Sequence, residues 1–369
     1  MRIVLACLLG VVLACVANAE NWPEPLPIGA VAPAFELPGI DGNTYTLDSF
    51  GSAQLLVLVF TCNHCPTAQA YEDRIEELDR DYRNKGVAVV AISPNDPLAL
   101  RLDELGYTDL SDGFEDTKLR AAEKGFEFPY LYDGDTQKMS REYGPVSTPH
   151  VFVFDKERKL RFRGRIDDSE KLANVTVHDT RSALDALLAG KPVQVETTKT
   201  SGCSVKWSEK RGSVEESLKE WAKEPVTLEP VDEAGIRELV ANKTDKVRLI
   251  NVWATWCGPC VAEFPELVTI QRMYKTRPFE IITISADSAE KSEEVLAFLK
   301  SKEASMKNLH FTGKDRYALI EPLDSKWEGA YPYTILIKPG GEIVYRDMGA
   351  IDPLELKRAI VEQVGRYFE

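Results

Sequence analysis

"WATWCGPC", residues 253–260, places two cysteines three positions apart at the end of an apolar run, "VRLINVWA" (247–254). Upstream, "FTCNHCP", residues 60–66, repeats the outline after "QLLVLVF" (54–60). Both runs read as strands buried on two faces. The residues after each pair have the period of an amphipathic helix: Pro66 to Asn84, with Tyr71, Ile75, Leu78 and Tyr82 on one face, and Cys260 to Tyr274. Strand, Cys-x-x-Cys, helix is therefore written twice.

A thiol attacks only as thiolate, and free cysteine, with a pKa near ~8.5, is mostly protonated at neutral pH. A cysteine at a helix N-terminus meets unpaired N–H groups and the positive end of the dipole, which favour its thiolate. A second cysteine one turn later can resolve a mixed disulfide. This predicts Cys62 and Cys257 at their helix starts, with Cys65 and Cys260 behind them. Half a zinc site is the competing use of Cys-x-x-Cys, but the pairs fall in separate units and the chain has four histidines.

A length of 369 residues suggests two domains, and 44% hydrophobic residues supply two cores. A formal charge of −14 excludes a nucleic-acid footprint and suits anionic lipid poorly. At the start, Arg2, the apolar stretch Ile3–Val16 and Ala17-Asn18-Ala19 form a secretory signal peptide over residues 1–19. Cys15 after Val12-Leu13-Ala14 leaves a lipoprotein alternative open, the one route by which this chain would be held on a membrane. Of seven cysteines, Cys7 and Cys15 fall in the signal. Cys62, Cys65, Cys203, Cys257 and Cys260 remain, an odd set in two tight pairs, which is redox usage and not a disulfide framework.

The first unit spans 24–190. "FELPGIDGNTYTLDSF" (35–50) reads as a hairpin turning at Asp41-Gly42. "VAVVAIS" (87–93), "HVFVFD" (150–155) after Thr148-Pro149, and "KLRFRGRID" (159–167) add strands, and Ser182–Leu188 closes the unit with a helix. The second unit, 226–369, runs the same course: "FEIITISAD" (279–287), a hairpin "YTILIKPGGEIVYRDMG" (333–349) entered through Tyr331-Pro332, and a helix from Pro353 to Val364. Residues 191–225, polar apart from "GCSVKW" (202–207), read as a linker with a helix near Val214–Lys223. The fold class is α/β, two domains each with a central mixed sheet flanked by helices.

On these motifs residues 226–369 resemble thioredoxin, and more closely its TlpA-like branch. "WCGPC" matches in full, Pro265 falls at the family's helix kink, Pro332 at its cis-proline, and Gly349 before the last helix. The resemblance implies a thioredoxin fold, Cys257 as exposed nucleophile, Cys260 as buried resolving thiol, and Pro332 facing the sulfurs beside a backbone edge left for substrate. Asn251 stands where thioredoxin keeps a buried acid, and Glu263 stands where TlpA-like proteins carry a glutamate. At (i, i+3) from Cys260, Glu263 is placed to take that thiol's proton.

Residues 28–190 resemble the redoxin group, through "IGAVAPAFELPGIDG" (28–42), "FTCNHCP", "YEDRI" (71–75), "STPHVFVFD" (147–155) and "FRGRIDD" (162–168), and one peroxiredoxin-like branch that also carries a late GC-x-x-KW. Peroxiredoxins place Thr three residues before a Cys-Pro pair. Here Cys65-Pro66 is kept and Cys62 occupies the Thr position. Two chemistries stay open: Cys62 as nucleophile with Cys65 resolving, or Cys65 as peroxidatic sulfur with Arg163 or Arg165 polarising peroxide. Pro149 corresponds to the cis-proline.

The residues between the sulfurs differ in charge. Gly-Pro adds none, and thioredoxin, which has it, is a reductant near about −270 mV. His64 brings an imidazole, which when protonated favours the thiolate and shifts the dithiol toward the oxidising end near about −120 mV. The sequence thus describes an exported, periplasmic thiol–disulfide oxidoreductase in which Cys257/Cys260 donates electrons and Cys62/Cys65 accepts them. Cys203 is a relay, a resolving thiol or a structural one. Partners are oxidised or dithiol proteins and an upstream thiol reductant, with no organic cofactor. Rival readings are a self-reducing thiol peroxidase and a copper chaperone using Cys62, Cys65 and His64.

Overall fold

A computed structural model describes residues 22–313 and 315–366. The expected signal peptide, Cys7 and Cys15 lie outside them. Among the described residues no helix is long and apolar enough to cross a membrane.

The chain opens with the expected hairpin, β1 (Glu36–Pro38) with β2 (Thr44–Thr46). The N-terminal unit then runs β3 (Leu55–Phe60), α1 (Pro66–Tyr82), β4 (Val87–Ser93), α2 (Phe114–Lys124), β5 (Tyr130–Tyr132), α3 (Lys138–Tyr143), β6 (Ser147–Thr148), β7 (His150–Phe154), β8 (Leu160–Gly164) and α4 (Asp179–Leu188). Its sheet has the order β5-β4-β3-β7-β8, with β4 and β5 parallel to their neighbours and β7 and β8 antiparallel. Side chains alternate across a strand, so β3 feeds two cores. Leu55, Val57 and Val59 pack with Tyr71, Ile75 and Leu78 of α1. Leu56, Leu58 and Phe60 pack with Tyr143, Phe152 and Phe154 on the other face.

The rest comprises β9 (Cys203–Ser204), α5 (Arg211–Trp221), β10 (Glu229–Val231), α6 (Glu233–Ala241), β11 (Val247–Trp253), α7 (Gly258–Tyr274), β12 (Phe279–Ser285), α8 (Ser292–Ser301), β13 (Lys307–Phe311), α9 (Ile320–Leu323), β14 (Tyr333–Ile337), β15 (Ile343–Met348) and α10 (Pro353–Val364). The second sheet has the order β10-β13-β12-β11-β14-β15. Its first four strands are parallel, and β14 and β15 are antiparallel.

The linker expected over 191–225 is corrected for its first half. Thr197 bridges Arg163, β9 pairs with β6, and Val205, Lys206 and Trp207 are buried. Alternation of Val205 and Trp207 around Lys206 is a strand-like pattern, and the polar residues near it bond inward instead of facing water. Lys206 N–H donates to Asn95 Oδ1 (2.8 Å), and its carbonyl accepts from Asp96 N–H (2.9 Å) and Gln137 Nε2 (2.9 Å).

The two units dock through the segment between β4 and α2. Leu100 and Leu105 join the core that contains Met273 and Tyr274. The Tyr274 hydroxyl donates to Thr108 O (2.8 Å), and the Arg277 guanidinium lies over the Tyr107 ring at 4.0 Å. Met273 and Tyr274 end α7, whereas Cys257 caps its start. Seventeen residues at 1.5 Å per residue put about 25 Å between those ends.

Candidate active site

Strand register aligns the two centres. Both X-Pro bonds, Thr148-Pro149 and Tyr331-Pro332, are cis. Phe60 of β3 lies opposite His150, the residue after Pro149, and Val252 of β11 lies opposite Tyr333, the residue after Pro332. Counting from these matched positions, Cys65 falls where Cys257 falls, and Cys62 falls where Ala254 does. The helices agree: Cys65 is the N-cap of α1 and Cys257 the N-cap of α7. The expectation that the first cysteine of each motif caps its helix therefore holds for Cys257 and is corrected for Cys62. Pro66 is the physical reason, because proline suits the first helical position, where its missing N–H costs nothing. In the second motif the proline, Pro259, comes one residue later.

At the C-terminal centre Cys257 and Cys260 are joined as a disulfide, and Cys260 N–H donates to Cys257 Sγ at 3.3 Å. Beneath it Glu263 is buried, 6% exposed. Its Oε1 accepts from Asn251 Nδ2 (2.9 Å) and its Oε2 from Ile351 N–H (2.9 Å). Burial holds its carboxyl above the usual range despite those two donors. Asn251, in the place of thioredoxin's acid, thus positions Glu263. Above, Trp256 is 51% exposed, meets Tyr331 edge-on at 5.5 Å, and carries Arg316 over its ring at 5.1 Å. A cavity of about 350 Å³ opens beside it, lined by Asp287, Lys291 and Arg316.

The N-terminal centre is more enclosed. Cys65 is fully buried, Cys62 nearly so, and Cys203 half-buried against both. Cys203 N–H donates to Cys65 Sγ at 3.1 Å. Cys62 Sγ lies 3.0 Å from the Thr148 hydroxyl and 3.4 Å from His64 Nδ1. When protonated, Cys65 donates to Thr148 O at 3.3 Å. Burial alone would push the Cys65 thiol up, but hydrogen bonds from Cys203 and Cys62, and the His64 charge, outweigh it and bring it well below the ordinary range. Burial pushes the Cys62 thiol well up, and the hydrogen bond to Cys65 pushes Cys203 up. The negative charge settles on Cys65, with two S–H donors around it.

His64 is buried, not a solvent-facing loop residue. Its Nδ1 pairs with Asp112 Oδ2 at 2.5 Å, and Asp112 Oδ1 accepts from the Asn63 (3.0 Å) and His64 (2.9 Å) N–H groups. Burial opposes a charged imidazole, yet Asp112 raises its pKa above the ordinary value. No motif in the sequence points to Asp112. It stands 48 residues from His64 in a loop, and no local spacing marks it. Cys62, His64 and Asp112 bring donor atoms within 4.8 Å of one another. Nδ1 faces the carboxylate, so His64 and Asp112 form a charge pair beside the Cys62 sulfur. Cys65 is not among those three donors, against the set Cys62, Cys65 and His64 expected for copper.

Pro149 lines a second cavity of about 350 Å³ together with Tyr71, Arg165, Asp167, Glu170 and Ser201. Arg165 donates to Asp179 at 2.7 Å, while Arg163 reaches Leu26 O at 3.4 Å. Of the two arginines expected at the peroxide, Arg165 faces the cavity beside Pro149.

Residues 28–163 match the AhpC/TSA family, and residues 235–364 match Redoxin. Thiol-disulfide oxidoreductase ResA of Oceanobacillus iheyensis is 30% identical over 126 residues, covering 33% of this chain and 59% of that protein. ResA of Bacillus subtilis is 29% identical over 113 residues, covering 31% of this chain and 59% of that protein. The chain thus spans about three fifths of the length of these relatives. A solved hypothetical protein of Sinorhizobium meliloti 1021 is 33% identical with a TM-score of 0.45, covering 50% of this chain and 97% of that one. The chain belongs to the thioredoxin-like proteins as a tandem, an AhpC/TSA domain followed by a Redoxin domain.

Proposed function

We propose that this protein is an exported, periplasmic thiol–disulfide oxidoreductase with two chemically distinct centres, acting on protein disulfides and dithiols and re-reduced by an upstream thiol donor. The observation that carries the reading is the shared register of Cys65 and Cys257, each capping a helix beside a cis-proline. At the C-terminal centre the reduced Cys257 thiolate attacks a substrate disulfide and releases one substrate thiolate. Cys260, giving its proton to the Glu263 carboxylate, then attacks Cys257 Sγ in the mixed disulfide and frees the second. Two electrons leave the dithiol, and the protein ends with the Cys257–Cys260 disulfide. Exposed Trp256 and the adjacent cavity supply a surface for a polypeptide. At the N-terminal centre Cys65 is the nucleophile.

Electrons pass from Cys257/Cys260 to the N-terminal centre by encounter between molecules or through a carrier, because α7 meets the neighbouring unit with the end opposite its cysteines. Reduction of insulin by the reduced mature protein, compared in wild type, Cys257→Ser and Cys65→Ser, tests the assignment. Loss in Cys257→Ser alone is expected; retention there would remove the C-terminal centre from the reaction.

A second reading, thiol peroxidase activity at Cys65, is favoured by the Cys65-Pro66 N-cap and by Arg165 in the cavity beside Pro149. Stopped-flow oxidation by hydrogen peroxide that is fast in wild type and slow in Cys65→Ser would establish it. Slow oxidation in both would leave disulfides as the substrates.

A further inference from the structure

The backbone just ahead of Pro149 is already occupied. β9 runs antiparallel to β6, with Cys203 opposite Thr148 and Ser204 opposite Ser147. The Ser147 hydroxyl bonds Thr200 Oγ1 at 2.7 Å, and Cys203 N–H reaches the Cys65 sulfur. Gly202 has φ +126°, and a Cβ there would stand 2.0 Å from the Thr148 carbonyl oxygen, so glycine is what lets the strand lie this close. Beyond Cys203 the segment is fixed by Lys206 to Asn95, Asp96 and Gln137, and by Ser208 N–H to Gln137 Oε1 (2.8 Å). The C-terminal unit differs: among the described residues no strand pairs with 328–331 ahead of Pro332. An extended segment added to a free backbone edge is a general mode of peptide recognition. In one unit that edge is open, and in the other the chain fills it with its own cysteine.

We propose that Cys203 is a built-in exchange partner, presented to Cys65 as a docked peptide would be, and that the N-terminal centre passes its disulfide to outside thiols through Cys203. The proposal rests on the reading of Cys65 as nucleophile. Starting from a Cys62–Cys65 disulfide, Cys203 gives up its proton and its sulfur attacks Cys65 Sγ. The Cys65–Cys203 bond forms as the Cys62–Cys65 bond breaks, and Cys62 leaves as a thiolate that takes up the released proton. His64 Nδ1 and the Thr148 hydroxyl both lie on that departing sulfur. One disulfide is exchanged for another, so no oxidant or reductant is consumed. An external thiolate then attacks Cys203 Sγ, forms a mixed disulfide with it, and releases Cys65 as its thiolate. The external partner's second thiol closes its own disulfide and frees Cys203. Cys62 and Cys65 are too buried for this attack, whereas Cys203 is half-buried.

The test uses the full mature chain, oxidised, with disulfides mapped by peptide mass spectrometry after thiol blocking. Wild type and Cys62→Ser are expected to contain the Cys65–Cys203 disulfide. Cys203→Ser is expected to hold only Cys62–Cys65 at this centre and to be reduced about tenfold more slowly by glutathione or by a reduced thioredoxin, since exchange rate follows access to the sulfur. The two reductants separate small from protein thiol partners. Gly202→Val keeps all three thiols but pushes β9 off β6, and should suppress the Cys65–Cys203 bond; a near-ultraviolet circular dichroism spectrum verifies its core. Absence of that bond in both wild type and Cys62→Ser, with the ultraviolet thiolate absorbance of the reduced protein still abolished by Cys65→Ser, overturns the exchange role and leaves the nucleophile reading standing. Thiolate absorbance that persists undiminished in Cys65→Ser overturns both.

Discussion

Asp109 and Asp112 stand three residues apart on one loop and serve different domains. Asp109 accepts from Arg358 Nε (3.2 Å) and Arg366 Nη2 (2.7 Å) of the C-terminal unit, while Asp112 holds His64 and the Cys-x-x-Cys backbone of the N-terminal one. The loop that docks the domains is therefore the loop that supports the N-terminal thiols.

Acid should separate the domains. Asp109 is buried, which raises its pKa, but Arg366 and Arg358 outweigh this and depress it. A depressed carboxyl contributes stability above its free value of about 3.9, and that contribution is lost as pH falls through the docked value. The radius of gyration from small-angle scattering should rise below about pH 4. Arg358→Ala/Arg366→Ala leaves Asp109 without these two counter-charges. With the arginines 39% and 26% exposed, the cost is discounted to about 1–3 kcal/mol. An unchanged radius in acid and in this variant would mean that the contacts of Leu100, Leu105, Tyr274 and Arg277 dock the domains without the Asp109 pairs.

The His64–Asp112 pair should set the reactivity of Cys65. Asp112 raises the His64 pKa, so the imidazolium is retained below that value and lost as pH rises through it. Asp112→Asn and His64→Asn both remove the charge that favours the Cys65 thiolate. Site-resolved alkylation of the reduced protein at pH 6 should slow at Cys65 by about tenfold for each unit its pKa rises. Unaltered alkylation would assign the thiolate to the two neighbouring S–H donors.

Glu263→Gln should cripple the C-terminal centre. Without a carboxylate to take the Cys260 proton, insulin reduction is expected to fall by roughly a hundredfold. Wild-type activity should climb with pH through the raised Glu263 pKa, and the variant should lack that limb. Stability carries the opposite sign. A raised carboxyl costs folding free energy once ionised, so wild type should lose thermal stability relative to the variant as pH rises above about 4.3. A wild-type rate in the variant would return Glu263 to a packing role.

Much of the fold is written in the strands. "QLLVLVF" and "VRLINVWA" are apolar throughout because both faces of a central strand are covered, and such runs admit few other placements. The site is harder to read, since what distinguishes the two motifs is where each helix begins. From Phe60 the chain takes five residues to reach the cap at Cys65, and from Val252 five to reach Cys257. Only the cysteine spacing relative to those caps differs, and Cys65-Pro66 is its one local trace. Asp112 reaches His64, and Asn95 Nδ2 donates to Asp112 (2.7 Å), from separate loops, a matter of tertiary register that no sequence window contains. Residues 195–208 have the composition of a linker because Lys206, Thr198 and Thr200 spend their polar groups on Glu104, the Arg165 N–H and Ser147, which lie far away along the chain.

Gly202 fixes where this protein can be cut. A fragment ending after α4, at the Gly-Lys-Pro that composition marks as a boundary, would keep every strand of the first sheet. It would also bare the edge of Thr148, strip the cover from Cys65, and leave the Asn95 and Gln137 amides without their bonds to Lys206 and Ser208. The heritable unit of the first domain is thus longer than its sheet: it extends through Ser208, and any domain shuffled, fused or excised short of Cys203 loses a thiol of its redox centre.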